Sequence, residues 1–279
     1  MTVLFGVLAA AFYGAADFCG GYASRRSAVF GVTILSQLAG LVALFIVLAF
    51  THWRLTASDV AYGALAGVCA GGGLVLFYHA LTIGRMGVVS PITAVLASGV
   101  PVVASLVRGE RLHLAQGAGM LVALVAIVLI SASFEEGEGG KREIATEGVR
   151  EALVAGVVIG GFILFLSRAS AASGLAILLP ARAASVLVLL LVAAAVRGTI
   201  RPSGGMLPLI VLCGVLDMTA NAFFVLAARS GYVSLASVLT GLYPASTVVL
   251  AWAVLHERMQ RAQWAGFALA LAGVALIAS

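Results

Sequence analysis

Apolar residues run along this chain in ten long stretches that shorter polar segments separate. Each stretch has about 20 residues, the length that an α-helix needs to cross the hydrocarbon core of a bilayer. The alternating segments of about 10 residues that mark the strands of a membrane barrel are not seen. The pattern therefore predicts an all-α membrane protein with ten transmembrane helices, at residues 3–22, 30–50, 60–82, 86–107, 115–133, 152–169, 174–196, 207–228, 233–255 and 265–279.

One long polar segment, residues 134–151, interrupts the pattern in the middle of the chain. It holds six of the eleven acidic residues together with glycines and basic residues, a mixture that is typical of a flexible linker. We therefore expect two units of five helices each. The first repeat covers residues 1–133, and the second repeat covers residues 152–279.

The two halves also share sequence. The Glu110-Arg111 pair returns 147 residues later as Glu257-Arg258, and the Ala, Gln, Ala and Gly that follow recur in place. A second echo joins residues 24–35 to residues 167–178. Because each half has an odd number of helices, the two halves enter the membrane in opposite directions. The sequence thus predicts two inverted five-helix repeats, an arrangement found in transporters with a central site.

Composition agrees with a membrane location. The chain is 62% hydrophobic and 10% charged, with a mean hydropathy of +1.15, whereas soluble domains carry about 25% charged residues. The basic residues lie in loops and form no cluster with stacking aromatics, so we expect no nucleic-acid partner. The expected partners are the lipid bilayer and a small-molecule substrate. The cysteines fall inside predicted helices, where apolar packing is expected instead of disulfides: Cys19, Cys69 and Cys213.

Four ionisable residues inside the predicted helices are the first candidates for chemistry: Asp17, His79, Arg182 and Asp217. A charge at the centre of a spanning helix costs about 2.5–3.5 kcal/mol on insertion scales, so such groups face a cavity or a partner. None of the four has an ionisable counterpart in the other half, which suits an asymmetric substrate. The alternatives are a structural ion pair of Arg182 with Asp217 or Asp17, and a place in the headgroup region for His79.

Further candidates accompany these charges. Asp217 and Asn221 are spaced i,i+4 and share one helical face, so together they can receive an ammonium group. Arg182 offers a bidentate fork for a carboxylate. A zwitterionic amino acid satisfies both groups. Three tyrosines can add aromatic faces with a polar tip, with ordinary packing as the alternative: Tyr13, Tyr78 and Tyr243.

The repeated corner residues and the prolines favour structural roles. Glu110 and Glu257 each lie between two predicted helices, where a carboxylate can accept hydrogen bonds from N–H groups at the start of the next helix. Prolines inside predicted helices are expected to kink them. Pro244 is one of these, and Pro180 is expected to help aim Arg182 inward.

Several short motifs accompany the two Glu-Arg pairs, namely Tyr13-Gly14, residues 77–81 and residues 242–244. Together they resemble the EamA-type branch of the drug/metabolite transporter superfamily, and within it the YddG-like amino-acid exporters. The resemblance implies a ten-helix exporter in a bacterial inner membrane with both termini in the cytoplasm. The arginines in the loops favour the reverse orientation.

The sequence thus predicts a secondary transporter that exports small metabolites, amino acids above all, by alternating access. Export of other small solutes, such as drug-like cations or nucleotide sugars, and a channel-like facilitator are the alternatives. No nucleophile–base motif, metal-ligand spacing or Walker motif occurs, so we expect no enzyme activity, no metal and no cofactor. Proton exchange through Asp17, His79 or Asp217 and the choice between monomer and homodimer are left open.

Overall fold

The computed structural model describes residues 1–83, 86–131, 148–202, 205–256 and 261–278. Within these ranges the chain forms eleven α-helices. They are α1 (Thr2–Ser24), α2 (Val29–Ala49), α3 (Ala57–Ile83), α4 (Met86–Val107), α5 (Leu114–Ser131), α6 (Val149–Leu166), α7 (Leu178–Ala195), α8 (Leu207–Arg229), α9 (Val233–Thr240), α10 (Tyr243–Leu255) and α11 (Arg261–Ala278).

The helices make ten apolar spans, because α9 and α10 together form the ninth span, Val233–Leu255. Eight spans in the described residues are long and apolar enough to cross a membrane. The other two, in α4 and α5, contain the shorter apolar helices Ile92–Val107 and Leu114–Ile130. The prediction of an all-α membrane protein with ten spanning helices is therefore confirmed.

The linker predicted between the halves falls mostly outside the described residues, which skip 132–147. The helix α6 begins at Val149, three residues before the start that hydropathy indicates for the second repeat. Its first turn includes Glu151, whose negative charge is favourable near a helix N-terminus. The Glu257-Arg258 pair also lies outside the described residues.

Pro180 and Pro244 both lie in the first turn of a helix, but only Pro244 accompanies a break within a span. In the ninth span the helix is broken at Gly241 and Leu242, and Pro244 occupies the first turn of α10. The expected irregularity at Pro244 is therefore present as a break between two helices. Pro180 also lies in a first turn, that of α7, where a missing N–H removes no intrahelical bond. The expected kink before Arg182 is therefore wrong, because α7 starts later than hydropathy indicates.

The two halves are inverted relative to each other, as two pairs of counterpart helices show directly. The second helices of the two halves, α2 and α7, pack antiparallel, with Ile34 beside Leu189 and Gln37 bonded to Ser185. The fifth helices, α5 and α11, pack antiparallel as well. Gly119 lies against Gly273, and Ile130 lies against Gly266.

Close contacts between helices of different halves hold the bundle together. The small residues Gly63, Gly67 and Gly71 of α3 face α7, and a Cβ at Gly67 would overlap the Ala181 carbonyl. In the same way, Gly156 and Gly160 of α6 face α4. The glycine stripes therefore serve close packing between halves, as small residues do in membrane bundles.

The helix directions define two sides of the bundle, which we name by the ends of α1. The Met1 side holds the starts of α1, α3, α5, α7 and α9 and the ends of α2, α4, α6, α8 and α11. The Arg25 side holds the ends of α1, α3, α5, α7 and α10 and the starts of α2, α4, α6, α8 and α11. Residues 25 and 171 lie at opposite ends of the bundle in this arrangement.

This topology predicts the outcome of a labelling experiment. In a background without native cysteines, Arg25→Cys and Ala171→Cys should react with an impermeant maleimide from opposite faces of the membrane, because both side chains are exposed at opposite ends of the bundle. Ala172→Cys, which is exposed beside Ala171, is the matched control and should label like Ala171→Cys. Labelling of positions 25 and 171 from one face would contradict the inverted arrangement.

Candidate functional site

Arg182 lies near the middle of the bundle and is bound on both sides. It is 8% exposed, and it projects from α7 toward α2 and α8. Its Nη1 donates to Gln37 Oε1 of α2 at 2.8 Å. Its Nη2 forms an ion pair with Asp217 Oδ2 of α8. The guanidinium therefore bridges the first half, through Gln37, and the second half, through Asp217.

Hydrogen bonds continue from this ion pair in both directions. Gln37 Nε2 donates to Ser185 Oγ at 2.9 Å, one helical turn after Arg182. On the other side, Asn221 Nδ2 donates to Asp217 Oδ2 at 3.3 Å and to the Asp217 carbonyl at 2.7 Å. Tyr13 of α1 then donates from its hydroxyl to Asn221 Oδ1 at 2.8 Å.

We call this series the polar chain; it consists of Ser185, Gln37, Arg182, Asp217, Asn221 and Tyr13. Helical periodicity explains its local geometry, since residues spaced i,i+3 or i,i+4 share a face. That spacing places Ser185 beside Arg182 and Asn221 beside Asp217. Two members come from the first half and four from the second half. The polar chain therefore runs across the interface between the inverted repeats.

Asp17 extends the polar chain along α1, one turn beyond Tyr13. Its side chain is exposed and makes no hydrogen bond within the part of the chain that the structure describes. It is close enough to Asp217 and to Tyr243 of α10 for electrostatic interaction. One further turn along α1, the space beside Gly21 is open, since a Cβ there would meet no atom within 4 Å. Asp17 therefore borders open space toward the Arg25 side.

The structure brings six of the eight predicted site residues to one region: Tyr13, Asp17, Arg182, Asp217, Asn221 and Tyr243. The side chain of Tyr78 lies outside the described residues. His79 is exposed and lies elsewhere. On α3, Gly67 is level with Ala181, and His79 comes twelve residues later on a parallel helix. At the helical rise per residue this separates it from the level of Ala181, the residue before Arg182, by about 18 Å.

Sequence reasoning missed two members of the polar chain, Ser185 and its hydrogen-bond donor Gln37. Gln37 is 9% exposed and lies within α2, whose other residues are nearly all apolar. A lone amide inside a spanning helix is a signal that could have identified it, since buried polar groups in a bilayer require a partner.

On the Met1 side, Glu110 joins the two halves. Its Oε1 accepts from the Val233 N–H at 3.0 Å, and its Oε2 accepts from the Ser234 hydroxyl at 2.5 Å and the Ser234 N–H at 3.3 Å. The carboxylate thus caps the start of α9, as expected for its chemistry. The expected partner was wrong, however: α9 belongs to the second half and is not the next helix after Glu110.

Asp59 makes a second connection on the same side. Its carboxylate accepts from the backbone N–H and the hydroxyl of Ser170, both at 2.9 Å, in the loop before α7. It also accepts from the Thr56 N–H at 3.0 Å at the start of α3. Near it, the Arg54 N–H donates to the Ala172 carbonyl at 2.9 Å. We call the Glu110 and Asp59 contacts the Met1-side clamps.

The site has no arrangement typical of metal binding. Among the described residues, no three His, Cys, Asp or Glu side chains lie together as ligands would. The chemistry available is that of an ion pair, amides, tyrosine hydroxyls and one carboxylate that borders open space. Such groups can bind a small polar molecule and can exchange a proton.

The sequence of this chain matches a family profile and two proteins of other organisms. The sequence profile of the EamA-like transporter family matches residues 1–132 and 148–279. A protein of Streptantibioticus cattleyicolor named as a probable terminal-alkyne amino-acid exporter is 40% identical over 95 residues, which are 33% of this chain and 31% of that protein. An uncharacterised protein of Methanocaldococcus jannaschii is 24% identical over 133 residues, 47% of this chain and 97% of that protein.

A solved crystal structure shows the same fold over nearly the full length. It superposes with a TM-score of 0.81 at 19% sequence identity and covers 99% of this chain and 95% of the other. At this identity the likeness concerns the fold alone. The fold and the two ranges that the profile matches agree with the resemblance found from sequence motifs.

Proposed function

This chain belongs to the EamA-like transporter family, and from that premise we propose that it exports small metabolites, with amino acids as the favoured substrates, by alternating access. The members of this family are transporters, and the chain is a multi-pass membrane protein. Amino-acid export is the narrower proposal. It draws support from the name of the Streptantibioticus cattleyicolor relative, which matches about a third of this chain.

The polar chain across the interface of the inverted repeats is the observation that carries this proposal. In transporters built from inverted repeats, substrate sites lie near the bilayer midplane where the halves meet, and rocking of the halves exposes the site to each side in turn. At that interface Arg182 binds Gln37, and Tyr13 binds Asn221, which in turn binds Asp217. Every rocking motion must therefore act on these contacts.

The groups of the site suit a small molecule that carries both charges. The guanidinium of Arg182 has five N–H groups, of which the described residues use two. The remaining N–H groups can donate hydrogen bonds to a substrate carboxylate. Asp17 and Asp217 together present an anionic face to an ammonium group. The tyrosine rings of Tyr13 and Tyr243 adjoin this face and can cover an apolar side chain.

Export of small cations is the second candidate, and the charge of the site favours it. Asp17 and Asp217 outnumber Arg182, so the cluster has a net negative charge when both carboxylates are ionised. An organic cation without a carboxylate would satisfy that charge. The proposed setting is a bacterial inner membrane, and the proposed partners are the lipid bilayer and the substrate.

Counterflow in proteoliposomes tests the proposal. The purified protein is reconstituted with a high internal concentration of one unlabelled amino acid, and uptake of the same amino acid in labelled form is measured. The experiment is repeated for each amino acid of a panel. A carrier gives saturable uptake that the internal amino acid stimulates. Uptake without saturation or stimulation would indicate a channel-like facilitator. Uptake of cations alone, with no amino acid transported, would replace the amino-acid proposal by the second candidate.

A further inference from the structure

Asp17 differs from the other carboxylates in the described part of the bundle core. Asp217 is bound by Arg182 and Asn221, and Asp59 is bound by Ser170 and Thr56. Asp17 is exposed in the second half of α1, which ends at Ser24, and it accepts no hydrogen bond from any described residue. One turn further along α1 the space beside Gly21 is open, since a Cβ there would meet no atom within 4 Å.

The ionisable groups around Asp17 are few and include one cation. The groups within electrostatic range of it are Asp217 and Cys213 of α8, Tyr13 of α1 and Tyr243 of α10. Arg182 of α7 reaches the group through Asp217. Two other neighbours of α1, α2 and α9, contain no ionisable residue. In α11, the ionisable residue is Arg261, at the helix start.

A simple charge count follows from this arrangement. Arg182 neutralises one carboxylate, which the ion pair identifies as Asp217. One negative charge is left over on Asp17. A carboxylate without a counter-ion is unfavourable within a membrane-spanning bundle. The site therefore needs one additional positive charge when the halves move around it.

We propose that Asp17 is the cation subsite of this transporter: its carboxylate binds the ammonium group of the substrate, and it binds a proton when the substrate is absent. This inference deepens the proposed function and rests on it for the identity of the substrate. Binding of the ammonium group releases the proton from the Asp17 carboxyl group to water, and departure of the substrate allows a proton from water to return. No covalent bond of the substrate changes.

Mutual exclusion of the two ligands has a consequence for transport. One carboxylate cannot hold the ammonium group and the proton together, so each substrate leaves in exchange for one proton. The role falls to Asp17 because Asp217 has a permanent counter-ion in Arg182. A proton on Asp217 would break that ion pair and leave the guanidinium with an unbalanced charge.

Binding measured against pH tests this inference on the purified protein in detergent. The probes are each amino acid of the panel and its amide, which keeps the amino group and lacks the carboxylate. For the wild type, affinity should fall as the pH is lowered, by about tenfold per pH unit once the competing proton is bound. Binding should also release about one proton per ligand in that range, measured with a pH indicator.

Variants of Asp17 assign this behaviour to the residue. Asp17→Asn should lose at least tenfold in affinity for both kinds of probe, together with the pH dependence and the proton release. Asp17→Glu keeps the carboxylate and should keep both. If Asp17→Asn does not fold, the comparison of Asp17→Glu with the wild type and the wild-type proton release decide the question. Wild-type affinity that does not change with pH, or an Asp17→Asn protein with wild-type pH dependence, would overturn the inference.

The two kinds of probe separate this inference from the proposed function. Amides that bind in competition with protons, while amino acids do not bind, would support the role of Asp17 and refute amino-acid export. Amino acids that bind with no dependence on pH would support export and refute the role of Asp17. Absence of binding by every probe at any pH would refute both.

Discussion

Arg182→Ala is expected to reduce the amount of folded protein in the membrane severely, to a tenth or less of wild type. The change leaves Asp217 partly buried without its counter-ion and removes a partner of Gln37. Breaking a buried ion pair by removing one partner costs about 3–5 kcal/mol, which is a large part of the stability of a typical domain. Fluorescence-detected size-exclusion chromatography of a tagged protein measures the folded amount.

A double variant separates loss of the ion pair from other effects. Arg182→Ala with Asp217→Ala removes both charges, so the folded amount should return toward that of the wild type. Arg201→Ala replaces an exposed arginine and is the matched control, with no expected loss. A double variant that expresses as poorly as Arg182→Ala would show that the ion pair itself is not what stabilises the bundle.

Arg182→Lys in the same series addresses substrate recognition. Lysine keeps the charge but lacks the planar fork, so it cannot bind Gln37 and a carboxylate in the same geometry. Folded amounts should stay near wild type while the affinity for amino acids falls, and the affinity for their amides should change little. Full amino-acid efflux in Arg182→Ala would contradict both the structural and the recognition role of this residue.

Glu110→Ala is expected to have the second largest effect, on transport more than on insertion. It removes the acceptor for three hydrogen bonds at the start of α9, two of them from backbone N–H groups. Loss of a helix cap costs about 0.5–2 kcal/mol, and a charged acceptor raises the cost. The Met1-side clamps would then hold the halves less tightly, and transport should fall several-fold while the ten spans still form.

Accessibility on the Met1 side reports this loosening. Ala236 is fully buried in α9, close to the Glu110 contacts, so Ala236→Cys should resist a maleimide in the parent protein and react in the Glu110→Ala background. Glu151→Ala, which changes a glutamate at the opposite side of the bundle, is the matched control. Unchanged labelling and unchanged transport in Glu110→Ala would mean that the clamp does not control access from this side.

The fold could be predicted because each helix that crosses a bilayer requires an apolar stretch that the sequence shows directly. A spanning helix needs a long apolar stretch, so hydropathy located all ten spans to within a few residues. The odd number of helices in each half then implied inversion, which the antiparallel packing of α2 with α7 confirms. Predictions that depended on a helix start were less secure. Pro180 proved to lie in the first turn of α7 because that start is four residues later than expected.

The site was only partly open to prediction. Six of its residues could be identified as polar groups inside apolar helices, since such groups are costly unless they have a partner. Their mutual contacts were not predictable. The ion pair of Arg182 with Asp217 was one of two alternatives, and the sequence did not indicate Gln37 or Ser185. His79 met the same criterion as the others, yet it lies about 18 Å along the bundle axis from the level of Ala181, the residue before Arg182.

By itself, the sequence determined the membrane location, the ten spans and their inverted repetition. The tertiary structure alone decided which polar groups meet, and that Glu110 caps a helix of the other half. The reason lies in the helices themselves, which are apolar on nearly every face. An apolar stretch specifies that a segment crosses the bilayer, but it contains little information on how the helix is rotated or on its depth. Those two quantities follow from close packing between halves, and they determine that Asp17 borders open space while Arg182 is bound.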